Sequence, residues 1–234
     1  MSHKYISSPL FALIDQQDNF IVINKIAGVN FHDEDELGQG LFNQVKTQLN
    51  LNELYPVHRL DKMTSGIVIM AKNLATAQQF QQLFSEHQIE KYYLALSDKK
   101  PKKKQGLIKG DMTKSRRGSY KLLHSQKKPA ITQFFSYSMG DGQRLYLLKP
   151  HSGKTHQIRV ALNSIGAPIL GDNRYSGNKA ERGYLHAYAI KFTLAEQQYS
   201  YLCLPTEGSL FLSEKGVSTL TAISSPWQLN WPKI

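Results

Sequence analysis

The stretch His58-Arg59-Leu60-Asp61-Lys62-Met63-Thr64-Ser65-Gly66 runs directly into the apolar residues Ile67-Val68-Ile69-Met70-Ala71. Polar residues with a turn signal just before an apolar run predict a buried strand, here with the carboxylate of Asp61 at its mouth. A carboxylate fixed on rigid structure can carry out chemistry, whereas one on a loose loop more often caps a turn. These residues alone leave both roles open for Asp61.

The composition limits the classes of protein that the chain can belong to. With 234 residues and 41% hydrophobic content, it predicts one globular domain with a sizeable core. The first ten residues lack the pattern of a signal peptide, and no apolar run approaches the ~20 residues needed to span a bilayer. A single cysteine, Cys203, excludes an internal disulfide framework and a cysteine-cluster zinc site. We therefore expect a cytoplasmic protein without a membrane partner.

The net charge of +11 is concentrated in one segment, Lys99 to Lys128. This segment holds twelve of the 29 basic residues and one of the 18 acidic residues, so the remaining 17 basic and 17 acidic residues balance. A flexible, solvated loop without a partner is the plain interpretation. A localised basic patch more often binds phosphates, and the segment lacks the apolar face of a membrane-surface helix. We therefore favour a nucleic-acid surface.

Hydrophobic periodicity predicts alternating strands and helices, and hence one α+β domain. The predicted strands cover 20–24, 67–71, 91–96, 131–137 and 144–149, with a hairpin inside the basic segment. The predicted helices cover 38–50, 74–88 (with Asn73 as its N-cap) and 155–165. Residues 15–205 are expected to form the core, and residues 206–234 a tail that wraps the surface.

A second polar cluster is His151-Ser152-Gly153-Lys154-Thr155-His156-Gln157-Ile158-Arg159. A nucleotide-binding loop would need a glycine five places before Gly153, where the chain has Leu148. The two histidines lack an acidic or cysteine ligand at metal spacing. Arg159 could reach a carboxylate across a cleft or remain a surface arginine, and spacing leaves both open. The turn Gly171-Asp172-Asn173-Arg174-Tyr175 is uninformative alone.

Taken together, these motifs resemble the RluA-type pseudouridine synthases, a family of RNA-modifying isomerases. The matching motifs, in family order, cover about residues 15–192: His58-Arg59-Leu60-Asp61 with Thr64-Ser65-Gly66, Lys91-Tyr92-Tyr93-Leu94-Ala95, Gly153-Lys154-Thr155-His156-Gln157-Ile158-Arg159, Gly171-Asp172 with Tyr175, and Leu185-His186-Ala187. The first and third motifs are specific together, whereas the last two are weak singly.

The resemblance implies a fold, a reaction and a set of residues. The fold is a mixed, mainly antiparallel sheet with flanking helices and a central cleft. In the reaction, the glycosidic bond of a uridine breaks, the base turns, and a carbon–carbon bond forms at C5, without cofactor or metal. The implied catalytic residues are Asp61 as the nucleophile or the group that labilises the glycosidic bond, Arg159 as its counter-charge, and Tyr93, which stacks on the base and assists removal of the proton from C5. The implied substrate-binding residues are His58, Arg59 (which helps to flip the base), Lys154, His156 and Gln157.

The chain departs from the family pattern in three places. Lys25-Ile26-Ala27-Gly28 replaces the usual Lys-Pro-x-Gly turn, and Lys154 stands where many members have arginine. Too few residues precede the first predicted strand for the N-terminal RNA-binding domain (S4) of many members. We expect the basic segment to bind RNA instead, through Lys102, Lys103, Lys104, Lys114, Arg116, Arg117 and Lys121.

Two alternatives to an RNA isomerase remain. One is an RNA-binding protein of the same fold without catalysis, which the basic segment fits equally well. The other is a glycosidic hydrolase, which would normally need a second catalytic carboxylate, and Asp172 is the candidate. The residues do not decide between transfer RNA and ribosomal RNA as the partner. A monomer is expected because no coiled-coil heptads occur.

Overall fold

The apolar run after Asp61 forms a fully buried strand inside a ten-stranded sheet, in a computed structural model that describes residues 10–33 and 37–234. The strands of these ranges are β1 (Phe11–Gln16), β2 (Phe20–Lys25), β3 (Tyr55–Pro56), β4 (Thr64–Ala71), β5 (Glu90–Ser97), β6 (Gln105–Gly110), β7 (Met112–Lys114), β8 (Tyr120–Leu122), β9 (Ala130–Gly140), β10 (Gln143–Pro150), β11 (Leu185–Leu194) and β12 (Gln197–Leu202). The α-helices are α1 (Leu41–Gln48), α2 (Leu74–Ser85), α3 (Gln157–Ser164), α4 (Ser209–Leu212) and α5 (Glu214–Ala222).

The large sheet has the order β1-β2-β4-β11-β5-β10-β9-β6, with β12 added to β11 and β3 to β4. Its neighbouring strands are antiparallel except β4 and β11, which run parallel and pair Thr64 with Leu185 and Gly66 with Ala187. The short hairpin β7–β8 forms a separate two-stranded sheet. The predicted α+β class with a mainly antiparallel sheet is therefore confirmed.

Helices cover both faces of the sheet beside β4. Successive residues of a strand point to opposite faces, so Ile21 and Ile23 pack under α1, whereas Phe20 and Val22 pack under α2. The third core cluster lies between β5, β9 and β10 and includes Leu162 of α3. In the described part of the chain, no helix is long and apolar enough to cross a membrane.

Most predicted elements occur, with changes at their ends. The strands and the hairpin in the basic segment form where they were expected, and the side chain of Asn73 caps α2 by accepting from the backbone of Thr76. Strand β4 begins at Thr64, three residues before the predicted strand, because β11 pairs with Thr64 to Gly66 there. Helix α2 ends at Ser85, short of Gln88, and α3 begins at Gln157 because His156 has a φ of 58°, which helices do not allow.

The C-terminal residues 206–234 do more than wrap the surface. They form α4 and α5, and Phe211 and Ile223 are buried in the same cluster as β5 and β10. The Phe211 ring packs edge-on against Tyr184, with the ring centroids 5.2 Å apart. The tail therefore contributes to the core that supports the middle of the sheet.

Gly66 allows β4 and β11 to approach where they run parallel. Its φ is 107°, a conformation that residues with a side chain rarely adopt. A Cβ atom there would lie 2.3 Å from the carbonyl oxygen of Ala187, which belongs to the backbone and cannot swing away. Any larger residue at position 66 would push apart the two strands behind Asp61.

Replacing Gly66 with alanine should therefore destabilise the protein more than an ordinary substitution at a glycine of positive φ. Gly140 is the matched control, because its φ is 85° and a Cβ atom added there would have no other atom within 4 Å. We expect G140A to lower the free energy of unfolding by about 1–2 kcal/mol and G66A by roughly 2 kcal/mol more. Urea unfolding of both variants measures this, and equal losses would contradict the close approach.

Candidate active site

A cavity of about 550 Å³ lies where the loop before β4, strand β5 and the start of α3 meet. Strand β11 lies between β4 and β5 in the sheet. The loop that carries Asp61, before β4, and Tyr93, on β5, therefore lie on either side of one strand. The predicted catalytic and substrate-binding residues all line this cavity: Asp61, Tyr93, Arg159, His58, Arg59, Lys154, His156 and Gln157. The fold therefore assembles the two polar clusters of the sequence into one site.

Arg159 lies between two carboxylates. Its Nε and Nη2 donate to the two oxygens of Asp172, each at 2.7 Å, and its Nη1 donates to Asp61 Oδ2 at 3.0 Å. Arg159 and Asp172 are buried, whereas 31% of the Asp61 side chain is exposed. Burial alone would lower the pKa of Arg159, but the bonds to Asp172 and Asp61 outweigh it and raise that pKa. The guanidinium therefore keeps its charge and holds Asp61 at the cavity wall.

Sequence reasoning considered Asp172 as a turn residue and as the candidate second carboxylate of a hydrolase, but it did not predict its contact with Arg159. The turn composition of Gly171-Asp172 gave no reason to expect a buried carboxylate, although the resemblance already included this pair of residues. Asp172 is 1% exposed, does not line the cavity, and accepts a two-point bond that fixes the plane of the guanidinium. Its role is to orient Arg159, which leaves only Nη1 of the arginine directed at Asp61.

His156 connects the cavity to the basic hairpin β7–β8. Its Nε2 lies 3.8 Å from Asp61 Oδ2, too long for a direct hydrogen bond, and its Nδ1 lies 2.9 Å from the hydroxyl oxygen of Tyr175. Burial lowers the pKa of His156, and the charge of Asp61 opposes this. The Tyr175 oxygen also accepts from the backbone N–H of Tyr120, whose ring packs edge-on against His156. Tyr175, like Asp172, was not predicted as a site residue.

Tyr93 presents its side chain to the same cavity from the middle of β5. Burial, followed by the negative charge of Asp61, raises the pKa of its hydroxyl. The hydroxyl therefore stays protonated at neutral pH. The ring offers a flat apolar surface next to Asp61.

The predicted substrate-binding residues differ in their exposure and in the hydrogen bonds that they already make within the protein. Arg59 is exposed at the rim. His58 accepts from the backbone N–H of Ile69 at 3.0 Å, and burial together with Lys91 lowers its pKa to about 3, so it is neutral. The Gln157 amide accepts from Ser152 and from the Lys154 backbone, and it donates to the carbonyl of Ile131 and the hydroxyl of Thr132. Gln157 therefore shapes the loop before α3.

Lys154 is also bound within the protein, because its ammonium donates to the carbonyl oxygen of Lys128. The basic segment divides into two parts. Lys114, Arg116, Arg117 and Lys121 lie on or in the turn of the β7–β8 hairpin, next to His156 through Tyr120. Lys102 and Lys103 line a separate cavity near Gly166, at the far end of α3. The hairpin part lies next to His156, which lines the cavity together with Asp61 and Arg159.

Groups of three or more acidic, histidine or cysteine side chains that could hold a metal ion are absent from the described residues. Asp61 and Asp172 share one arginine, which balances one of their two negative charges. The site therefore offers a carboxylate, a fixed guanidinium, a neutral phenol and a neutral imidazole around one cavity.

Comparison with known proteins gives consistent matches. A family described as RNA pseudouridylate synthase matches residues 19–164. An uncharacterized RNA pseudouridine synthase of Haemophilus influenzae is 50% identical over 86% of this chain and 90% of that protein. A ribosomal large subunit pseudouridine synthase C of Rickettsia bellii is 34% identical over 76% of this chain, a match that spans 62% of that protein.

Solved structures of other proteins share this fold. Human RNA Pseudouridylate Synthase Domain Containing 1 superposes with a TM-score of 0.74 over 95% of this chain and 98% of that one, at 22% identity. At this level of identity the match supports the fold alone.

Replacing Asp172 with asparagine should destabilise the protein strongly, because it leaves a buried guanidinium with one carboxylate in place of two. We expect a loss of about 3–5 kcal/mol in the free energy of unfolding. The matched control is D61N, which removes the partly exposed partner of the same arginine and should cost about 1 kcal/mol or less. Urea unfolding ranks the two variants, and a larger loss for D61N would contradict this division of roles.

Proposed function

Since the chain belongs to the RNA pseudouridine synthase family and is therefore an isomerase, we propose that it converts specific uridines of a structured RNA to pseudouridine with Asp61 as the catalytic residue. The bond between C1′ and N1 of the uridine breaks, the detached base turns, and C1′ bonds to C5. The proton leaves C5 and N1 gains one, so no atom is added or lost. The observation that carries this proposal is the contact of Arg159 with both Asp61 and Asp172.

The position of Asp61 suits a group that attacks the substrate or labilises its glycosidic bond. A carboxylate can act as a nucleophile and later leave, but it must stay ionised when the substrate covers it. Arg159 supplies the compensating charge from the protein side, and its other two bonds to Asp172 keep it from following the substrate. Asp61 keeps one side exposed to the cavity, where the ribose would lie.

Tyr93 is proposed to stack on the flipped uracil. Its ring lines the cavity beside Asp61. A role in removing the proton from C5 would require the hydroxyl to act as a base, which its raised pKa opposes. Stacking is therefore the better supported of the two roles. Arg59, exposed at the rim, would fill the space that the flipped base leaves, and flipping costs a few kcal/mol.

The two alternatives have less support. A hydrolase would need its second carboxylate at the cavity, but Asp172 lies outside it and both of its oxygens accept from Arg159. A non-catalytic RNA-binding protein would have no need of a buried carboxylate that holds Arg159 against Asp61, so we retain that function only as the second candidate.

The RNA target is proposed from the relatives. The Rickettsia bellii relative and a 30% identical relative from Borreliella burgdorferi are both named ribosomal large subunit pseudouridine synthases. We therefore propose ribosomal RNA before transfer RNA. The chain would meet either RNA in the cytoplasm, and we propose that it acts there as a monomer without a cofactor.

The basic segment is proposed to bind the RNA backbone. The hairpin residues Lys114, Arg116, Arg117 and Lys121 lie next to the cavity and would hold the RNA close to the flipped base. Lys102 and Lys103 line the separate cavity near Gly166, past the end of α3, and together with Lys104 they would hold a more distant stretch of the RNA. His58, Lys154, His156 and Gln157 would shape the binding loop around the target, since their polar atoms already bond within the protein.

Asp61→Asn should abolish pseudouridine formation and leave RNA binding within about threefold of wild type, because asparagine keeps the size of the side chain but is not a nucleophile. Asp18→Asn, at an exposed carboxylate, is the control and should retain full activity. Pseudouridine is measured by mass spectrometry after incubation with ribosomal RNA transcripts, together with free uracil. An active D61N enzyme would disprove the assignment, and release of uracil by wild type would favour a hydrolase.

Neutralising the two parts of the basic segment should have different effects. Changing Lys114, Arg116, Arg117 and Lys121 to glutamine should weaken RNA binding, reduce the slope of log K against log salt by up to about 3, and lower turnover, because the hairpin packs on His156. Changing Lys102, Lys103 and Lys104 should reduce the slope by up to about 2 without affecting turnover. Filter binding over a salt series, with single-turnover assays, separates the two. Unchanged slopes in both variants would remove the basic segment from RNA binding.

A further inference from the structure

One of the cations that line the catalytic cavity, Lys91, has a charge that no anion of the described residues balances. Lys91 lies on β5 two residues before Tyr93, so both side chains point to the same face of the strand, about 7 Å apart along it. Both side chains line the cavity. Tyr93 lies near Asp61, and Lys91 lies near Phe84 and Gly153. The cavity therefore continues past the site of the target base toward Lys91.

Lys91 has no polar partner within residues 10–33 and 37–234. Its ammonium makes no hydrogen bond or ion pair there, and it lies over the ring of Phe84, whose centroid is 5.6 Å away. The carboxylate of the adjacent residue, Glu90, is already bound to Lys149 and Tyr92. Burial lowers the pKa of Lys91, and no carboxylate opposes this shift. A largely buried cation without an anion is costly for a protein to keep.

The groups around Lys91 do not neutralise it. Burial and, next, the charge of Lys91 lower the pKa of His58 to about 3. The pKa of His151 is lowered by burial and by Lys149 and Lys91, with Glu90 opposing. Gly153 leaves the approach open, because the first carbon of any side chain there would lie 3.8 Å from the Lys91 ammonium.

We propose that Lys91 binds a phosphate of the RNA backbone next to the flipped uridine, forming a phosphate subsite at the far end of the catalytic cavity. A phosphodiester entering the cavity would supply the missing anion and accept a charge-assisted hydrogen bond. Lysine suits this contact because its ammonium is a compact charge that tolerates several phosphate orientations. By holding the phosphodiester next to the target uridine, the subsite fixes the ribose of that uridine against Asp61. The inference rests on the proposed function.

The first test compares Lys91→Met with Lys215→Met, a control at an exposed lysine of α5 outside the site. Methionine keeps most of the length of the side chain and removes the charge. We expect K91M to raise KM for RNA by about tenfold, with a smaller change in kcat, and K215M to match wild type. Lys91→Arg should restore most of the loss. The melting temperature of K91M should equal or exceed that of wild type, because the variant removes an uncompensated buried charge.

The second test identifies the ligand as a phosphate. Substrates carry a single neutral methylphosphonate at each linkage in turn around the target uridine. For wild type, a methylphosphonate at one linkage beside the target uridine should raise KM by about tenfold. For K91M, a methylphosphonate at the same linkage should cause no further increase in KM. K215M should respond as wild type does.

Each failure has a distinct meaning. If wild type forms no pseudouridine in any RNA, the proposed function fails. If wild type is active but K91M behaves like K215M, or if K91M responds to every methylphosphonate as wild type does, the phosphate subsite is wrong. A K91M variant that melts well below wild type and is not rescued by arginine would show a structural role instead, which also overturns the proposal.

Discussion

The site depends on the contact between Arg159 and its two carboxylates. Asp172 takes two of the guanidinium's donors in a buried, two-point bond, and Asp61 takes one at the cavity wall. A single carboxylate would leave the arginine free to turn with the substrate, whereas the second fixes its plane. The position of Asp61 thus depends, through Arg159, on a residue that does not line the cavity.

The fold brings this contact about through one unusual strand pairing. Asp61 precedes β4 and Tyr93 lies on β5, and β11 between them pairs in parallel with one and antiparallel with the other. Gly66 permits the close approach of β4 to β11. Helix α3 then begins at the cavity, after His156 turns the chain with a positive φ, so that Arg159 lies in its first turn.

The sequence predicted the strands around the site well because β2, β4 and β5 are apolar, and burial on both faces leaves a clear pattern. The sequence motifs also singled out Asp61, Tyr93 and Arg159, which all line the cavity. The sequence did not predict that Thr64 to Gly66 form part of β4, because only the distant β11 determines that pairing. The contact of Asp172 with Arg159, 13 residues earlier in the chain, was not predicted for a similar reason, because a turn composition carries no sign that the carboxylate is buried. Local patterns thus predict elements, whereas contacts between elements decide which polar residues are buried.

The most direct test of this account is a crystal structure of the wild-type protein bound to its RNA, once mapping of pseudouridines in cells with and without the gene has identified the target. We predict a flipped uridine with its base on the Tyr93 ring and an Asp61 carboxylate oxygen within about 3.5 Å of the ribose C1′. Arg159 should keep its contacts with Asp61 and Asp172. A target uridine that remains stacked in the RNA, or one bound with Asp61 turned away from its ribose, would contradict the account.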